Sequence, residues 1–205
     1  MNQKNNYKLL ISSVVFLFLF LSSSYATERF ISPLGFKIGH ATYDSIKKDW
    51  KHKILLRDIS VNRFTGGRVL EAEAPEFLGV NGLRGLRLMF NSENVLTAVV
   101  MNLVRAGENA DQGVDAGFLE VYDMLDSKYR ITSKDFSSKK PAMKAQFYAD
   151  NVYIQMLAPR NKSLFELRYL SSDFINRRDA VIQAQNEQSE YALQTAQKLT
   201  SRNEF

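Results

Sequence analysis

The sequence predicts an α+β protein of two tandem units, each a helix followed by a four-stranded antiparallel sheet, with a long C-terminal helix after them. Three observations lead to this prediction. Residues 83–105 form an apolar hairpin pattern, with turn formers between two β-rich runs. A helical pattern followed by four strand patterns occurs in residues 41–104 and again in residues 118–170. Residues 171–205 contain neither Gly nor Pro, which favours one uninterrupted helix.

The N-terminus has the composition of a secretory signal peptide. Lys4 and Lys8 precede the apolar run 9–21, and Ser24 and Ala26 supply small residues at positions −3 and −1 of a cleavage site. The run is shorter than the about 20 residues of a membrane span. The chain contains no Cys, which excludes a lipoprotein anchor. We therefore expect a Sec-type signal peptide over residues 1–26 and a periplasmic or secreted protein; an uncleaved N-terminal anchor is the alternative.

Composition restricts the partners that we expect for the mature chain. Cleavage after Ala26 leaves 179 of the 205 residues, which suits one domain or two small ones. The formal charge falls from +5 to +3 on removal of Lys4 and Lys8, and the remaining excess is spread along the chain. This distribution does not indicate a nucleic-acid partner. We also expect no integral membrane segment after cleavage and no cofactor.

The first unit is predicted over residues 27–105. Its helix spans residues 41–52, with Thr42 as the N-cap. Its strands are predicted at 54–64, 68–74, 86–90 and 95–104.

The last two of these strands form the central hairpin, whose two faces are both apolar. If Phe90 pairs with Val95, one face of the hairpin carries eight residues, of which all but Thr97 are apolar: Leu86, Leu88, Phe90, Val95, Thr97, Val99, Met101 and Leu103. The opposite face carries Met89, Leu96, Ala98 and Val100, with Arg87 and Asn102 as the strongly polar exceptions. A solvated antiparallel sheet is polar on one side, so we expect something to cover each face of this hairpin.

Residues 106–115 are polar and contain Gly, and we predict a linker there. The second unit follows over residues 116–170, with Asp115 as a candidate cap of its helix. The two helices share a local signature: Tyr43-Asp44, Ile46 and Trp50 correspond to Tyr122-Asp123, Leu125 and Tyr129, each 79 positions later. The strands of the second unit are predicted at 129–135, 142–149, 152–157 and 164–170.

The second unit has one apolar face and one solvated face. Asp150-Asn151 predicts a two-residue hairpin turn, which pairs Tyr148 with Tyr153. The apolar face packs on the second helix, and the solvated face is ordinary except for the two tyrosines and Arg168 near them. The C-terminal helix, residues 171–205, is expected to begin near a Ser172 cap, and it either wraps back over the central hairpin or projects.

Residue types that often carry catalysis are present but badly spaced. His40 and His52 flank the first helix about 18 Å apart, too far to share one metal ion, so we expect no metal site. Ser45 and Lys48 match the Ser-x-x-Lys pattern of serine acyl-transfer enzymes, in which a lysine assists deprotonation of the serine. The partner motifs of that pattern are missing, so we assign no catalytic residues.

Glu71 and Glu73 are two apart on one strand, so their carboxylates project from the same face about 6–7 Å apart. Such a pair can serve glycoside hydrolysis. A solvated strand face has the same appearance, and we favour that interpretation.

Two surfaces remain as partner-binding candidates, and each has a plainer interpretation. One candidate is the face of the central hairpin that carries Met89, Leu96, Ala98 and Val100; the alternative is that the C-terminal helix buries this face. The tyrosine and arginine cluster of the second unit is the other, with a cross-strand aromatic pair as its alternative. The predicted partner-binding residues are Met89, Leu96, Val100, Tyr148, Tyr153 and Arg168.

Two tandem helix-plus-four-strand units in an exported chain resemble the β-lactamase inhibitor proteins. Each unit alone is similar to the small outer-membrane-assembly lipoproteins, in which a Gly motif precedes the helix, as in the residues 39–46 here (Gly-His-Ala-Thr-Tyr-Asp-Ser-Ile). The resemblance covers residues 35–170 and is one of architecture. It implies an exported module that binds another protein through a sheet face.

The sequence therefore predicts a non-enzymatic periplasmic or secreted protein that binds another envelope or secreted protein, with an accessory role in an envelope or secretion complex. The main alternative is a binder of a lipid or other apolar small molecule, held between the central hairpin and the last helix. An enzyme is the third possibility. The identity of the partner and the oligomeric state are not predicted.

Overall fold

The structure, a computed structural model, describes residues 31–73, 75–105 and 115–202. The predicted signal peptide and residues 106–114 of the predicted linker lie outside the described residues. Short 3-10 helices lie at Pro33–Gly35 and Pro75–Leu78. The other helices and strands are α1 Tyr43–Trp50, β1 Leu55–Val61, β2 Gly66–Glu73, β3 Leu83–Asn91, β4 Leu96–Val104, α2 Ala116–Asp126, β5 Arg130–Asp135, β6 Ala142–Ala149, β7 Val152–Pro159, β8 Leu164–Ser171 and α3 Ser172–Arg202.

The strands form one eight-stranded sheet in the order β1-β2-β3-β4-β8-β7-β6-β5, and every neighbouring pair is antiparallel. The predicted α+β class and the long C-terminal helix are confirmed. The sheet is continuous across the predicted boundary between the units, because β4 pairs with β8 from Ala98↔Leu170 to Val104↔Leu164. The described strands therefore form a single sheet rather than two separate ones.

The main core lies between one face of this sheet and the helices α1 and α2. The helices contribute their apolar stripes, with Ile46 from α1 and Phe118 from α2 almost completely buried. Phe118 meets Phe165 of β8 edge to face, with ring centroids 5.4 Å apart. Alternate residues of the strands complete the core, as the period of two in β-structure requires.

The predicted capping interaction is present at the start of α1 and absent at the start of α2. Thr42 caps α1 as predicted: its hydroxyl accepts a hydrogen bond from the Ser45 backbone N–H, and the Ser45 hydroxyl in turn accepts one from the Thr42 N–H, 3.0 Å away. Asp115 stands at the N-cap of α2, but its side chain makes no capping bond. Its carboxylate instead pairs with Arg105, so the predicted capping role is wrong.

Helix α3 begins at Ser172 itself, so the predicted capping role of Ser172 is wrong. The capping side chain is Ser171, whose hydroxyl oxygen accepts from the Phe174 backbone N–H at 3.1 Å. The hydroxyl of Ser172 donates instead to the Asn151 carbonyl oxygen, 3.0 Å away. This bond ties the start of the helix to the β6–β7 turn.

The predicted register of the central hairpin is wrong by one position at its turn. Phe90 pairs with Leu96 rather than Val95, and the register shifts beyond it, so that Met89 pairs with Ala98. The physical reason lies outside the hairpin: the Leu96 N–H donates to the Ala41 carbonyl, 2.8 Å away, and the segment before α1 takes this end of β4. The bulge turns Leu96 into the main core, where it is fully buried.

The predicted register of the second hairpin is confirmed. Asp150 and Asn151 both have positive φ, 46° and 62°, as a type I′ turn requires. Tyr148 consequently pairs with Tyr153, and the alternating apolar residues of β6, β7 and β8 face α2.

Among the residues that the structure describes, no helix has both the length and the apolar composition to cross a membrane.

Candidate functional site: the open face of the sheet

The open face is the side of the sheet opposite α1 and α2. Its own chain covers part of it, because Phe174 at the start of α3 is buried against Ala98 and Leu170. Phe174 also meets Phe64 of the β1–β2 turn edge to face, with centroids 6.2 Å apart. Both predicted alternatives for the last helix therefore hold in part, since its first turn covers the hairpin and the side chains of residues 182–194 are exposed.

The 31 residues of α3 correspond to about 46 Å. The first turns contact the sheet through Phe174 and Ile175, and among the described side chains farther along, large apolar ones are exposed: Ile182 by 40% and Tyr191 by 75%. The middle of the helix therefore covers neither the central hairpin nor the strands beyond it.

A groove of about 570 Å³ lies on the open face beside Phe174, and we call it the central groove. The β1–β2 turn, the middle strands of the sheet and the start of α3 form its sides. Its lining mixes apolar and charged side chains, among them Phe64, Glu71, Arg87, Met89, Val100, Glu166, Arg168, Leu170, Phe174 and Arg178.

The floor of the central groove contains a row of three residues on consecutive strands. Arg87 of β3 pairs with Val100 of β4, and Val100 pairs with Arg168 of β8. We call these residues the Arg-Val-Arg row. Because neighbouring strands lie about 4.8 Å apart, the two arginines start about 10 Å from one another, with the valine between them.

Glutamates partly neutralise the two arginines. Arg87 lies 3.7 Å from a carboxylate oxygen of Glu71, and Arg168 donates through Nε to Glu166 at 2.6 Å. The four side chains are between 33% and 45% exposed, so water screens both pairs. A guanidinium carries five N–H donors, and these contacts leave several of them for another molecule.

The tyrosine pair, Tyr148 and Tyr153, lies on the same open face beyond β8. The ring centroids are 4.9 Å apart, and the Tyr148 hydroxyl donates to the Asn151 side-chain oxygen, 3.1 Å away. Both side chains are half-buried and line a shallow hollow of about 320 Å³ together with Arg130 and Gln146. The predicted contact of the two tyrosines is confirmed.

The other predicted partner-binding residues lie in different surroundings. Arg168 is on the same face as the tyrosines, one diagonal step from Tyr153 in the register of β7 and β8, and it also lines the central groove, where its cross-strand partners are Gln155 and Val100. Met89 lies on the floor of the same groove and is half-buried beside the Phe174 cluster. Leu96 is fully buried in the main core and presents no side chain to a partner, so its assignment to this surface is corrected.

The serine and lysine of the Ser-x-x-Lys pattern do not lie in one pocket. A hollow of about 250 Å³ beside α1 is lined by Ser45, His40 and Asp49, whereas Lys48 is exposed and is not part of the lining. The Ser45 hydroxyl donates to the Thr42 carbonyl oxygen at 2.9 Å and completes the capping of α1. The hydroxyl thus has a structural role in the helix.

Glu71 and Glu73 project from the open face of β2, and each has an arginine partner. Glu71 pairs with Arg87, and Glu73 pairs with Arg57 of the neighbouring strand β1. This arrangement is that of a cross-strand charge ladder. Within the described residues, no group of three or more His, Cys, Asp or Glu side chains is placed to hold a metal ion.

Sequence analysis did not find the Arg-Val-Arg row. The available signal was Arg87, the one charged residue on a hairpin face that is apolar except for Arg87 and Asn102. Its relation to Arg168 depends on the pairing of β4 with β8, two strands that are far apart in the chain.

Comparison with models of protein families, with curated proteins and with solved structures finds no match to this chain.

Proposed function

We propose that the protein is exported, is non-catalytic and binds a protein partner with the open face of its sheet. The periplasm or the cell exterior is its proposed location, and an accessory of a cell-envelope or secretion complex is its proposed role. The observation that carries the proposal is the difference between the two faces of the sheet. Two helices bury one face, whereas the other leaves a half-buried tyrosine pair and a groove with arginines in contact with solvent.

The composition of the open face is typical of protein interfaces. Tyrosine and arginine are enriched at such interfaces, and apolar centres are surrounded there by polar residues. Here Val100 and Met89 form an apolar centre, and Arg87 and Arg168 lie beside it. Large exposed apolar patches are rare on monomers and usually mark interaction sites. Because Val100 and Met89 remain partly exposed, this surface is a good candidate for contact with a partner.

We also propose that the chain consists of two tandem α-β₄ units, residues 27–105 and 116–170. The element order supports this organisation, because a helix followed by four strands occurs twice. The strand order supports it as well. Outward from the central β4–β8 pair, the strands follow the order β4, β3, β2, β1 on one side and β8, β7, β6, β5 on the other. Superposition of the two halves in an experimental structure tests the proposal, and halves with different strand orders would contradict it.

The proposed role of the open face is tested by site-specific photo-crosslinking in the native host. A photoreactive residue replaces Tyr153 on the open face, and a matched variant carries it at Lys51, which is exposed at the end of α1 on the opposite side. We expect a discrete cross-linked protein from position 153 and none from position 51. Equal labelling at both positions, or none at either, would count against partner binding by this face.

A second candidate function is the binding of a lipid or another apolar small molecule. The position of the central groove favours it, because the groove lies between the hairpin and the last helix and has a volume in the range of small-molecule sites. Native mass spectrometry of the protein purified from its host tests this candidate. A retained lipid that is lost in a Val100→Trp variant would support it, and an unliganded mass would exclude it.

A further inference from the structure

We infer that the central groove recognises an acidic segment of the partner, in which an apolar side chain is flanked by carboxylates. This inference rests on the proposed protein-binding function and adds the chemistry of the partner. It is carried by the Arg-Val-Arg row, by the charge of the groove and by its open shape.

The Arg-Val-Arg row dictates the order of groups in the partner. Val100 offers an apolar contact at the centre, and the floor beside it is extended by Met89 and Leu170. Arg87 and Arg168 stand on either side of the valine. An apolar side chain above the valine therefore brings neighbouring carboxylates within reach of both guanidinium groups, which bind carboxylates in a two-pronged geometry.

The charge of the groove favours an acidic partner. Its lining contains four arginines, at positions 63, 87, 168 and 178, and two acidic residues, Glu71 and Glu166. Arg178 also pairs with Asp179, which is not part of the lining, so the positive charge beyond these ion pairs comes from Arg63. Arg63 lies over the ring of Phe64, with its guanidinium carbon 4.6 Å from the centroid, and has no ion pair among the described residues. A net positive groove attracts acidic segments and accelerates their association.

The shape of the groove favours a protein segment over an enclosed small molecule. Sites for small molecules usually enclose 70–90% of the ligand surface. The central groove is only partly enclosed, and its floor is ionic as well as apolar. Such a site binds one exposed side chain and its polar neighbours while the rest of the partner remains outside.

The inference is tested by selecting peptides from a random displayed library on the purified chain without residues 1–26. The groove variant is Arg87→Gln with Arg168→Gln, and the control is Lys51→Gln with Lys128→Gln. The control removes the same charge from exposed positions at the ends of α1 and α2, on the other side of the sheet. Thermal unfolding of both variants establishes that they fold.

We expect selected peptides in which acidic residues flank an aromatic or aliphatic residue. Calorimetry should show binding weakened about tenfold or more in the groove variant and changed less than about twofold in the control. A further variant, Val100→Asp, places a carboxylate between the two arginines within the chain, and it should lose the peptides while retaining its fold.

Three results would overturn the inference: no enriched peptide, enriched peptides without acidic residues, or equal weakening in the groove variant and its control. Tight binding of decanoate to the groove, without peptide binding, would also overturn it in favour of an anionic amphiphile. The two proposals fail separately. Cross-linking at position 153 together with neutral selected peptides leaves partner binding in place and removes only the acidic chemistry.

Discussion

Arg105 is a buried arginine whose side chain joins three parts of the fold, and its replacement should destabilise the protein. It lies at the end of β4, and its side chain is only 4% exposed. One terminal nitrogen donates to the carbonyl oxygens of Pro159 and Lys162, 2.9 Å and 3.0 Å away, and the other pairs with Asp115. The side chain thereby joins the end of β4, the start of α2 and the β7–β8 loop.

Arg105→Met should lower the free energy of unfolding by about 2–3 kcal/mol. Each carbonyl that loses its donor costs about 1–3 kcal/mol, with the lower values for oxygens that water can partly reach. The carboxylate of Asp115 is 34% exposed and recovers hydration, so its contribution is small. Removal of the buried guanidinium returns part of its desolvation cost. For a chain of this size the change corresponds to a Tm lower by about 4–12 °C.

Urea unfolding followed by circular dichroism measures this change, and Arg160→Met is the matched control. Arg160 also donates to backbone carbonyls, those of Phe136, Ser137 and Lys140, but it is exposed. We expect its replacement to cost less than about 1 kcal/mol because water replaces the lost bonds. Equal effects of the two substitutions would refute the argument that burial makes Arg105 important.

Three further changes test other parts of the structure. Phe174→Ala should release the first turn of α3 from the sheet, raise hydrogen exchange there and lower the free energy of unfolding by about 3–5 kcal/mol; unchanged exchange would contradict the docking. The Tyr43 hydroxyl, chiefly, holds the pKa of Asp58 below its ordinary value, with Lys47 assisting. The hydrogen bond to the Asp58 carboxylate therefore stabilises the fold at pH values above the unfolded-state pKa of Asp58, and this stabilisation is lost as the pH falls through the folded-state pKa. Tyr43→Phe should raise the Asp58 pKa in an NMR titration, and an unchanged pKa would contradict the role of the hydroxyl. Gly67→Ala should lower the free energy of unfolding by several kcal/mol, because the alanine Cβ would overlap the carbonyl oxygens of Phe90 and Asn91 on the neighbouring strand. A calorimetric Tm equal to that of the wild type would contradict this close approach of the two strands.

Much of the fold could be predicted because its signals are local. The capping residues of α1, the two-residue turn of the second hairpin and the alternation along β6 and β7 each depend on a few neighbouring residues. The hairpin of β3 and β4 was less predictable near its turn. There the segment before α1 takes backbone bonds from Leu96, and nothing within the hairpin sequence indicates this competition.

Less of the candidate site could be predicted. The tyrosine pair follows from one hairpin turn and was found, but the Arg-Val-Arg row needs three strands in a particular order. Arg168 was predicted beside the tyrosines because it shares their unit in the sequence. In the structure it also lies beside Val100, because β8 pairs with β4 on one side and with β7 on the other.

The α+β class, the order of helices and strands, and the faces of the second hairpin follow from local sequence signals, because capping, turn geometry and side-chain alternation act over a few residues. The tertiary structure alone decided that all eight described strands join in one sheet, that Leu96 is internal, and that Arg105 is buried. These outcomes depend on contacts between residues distant in the chain, where burial and backbone hydrogen bonding select one pairing among several that the local sequence permits.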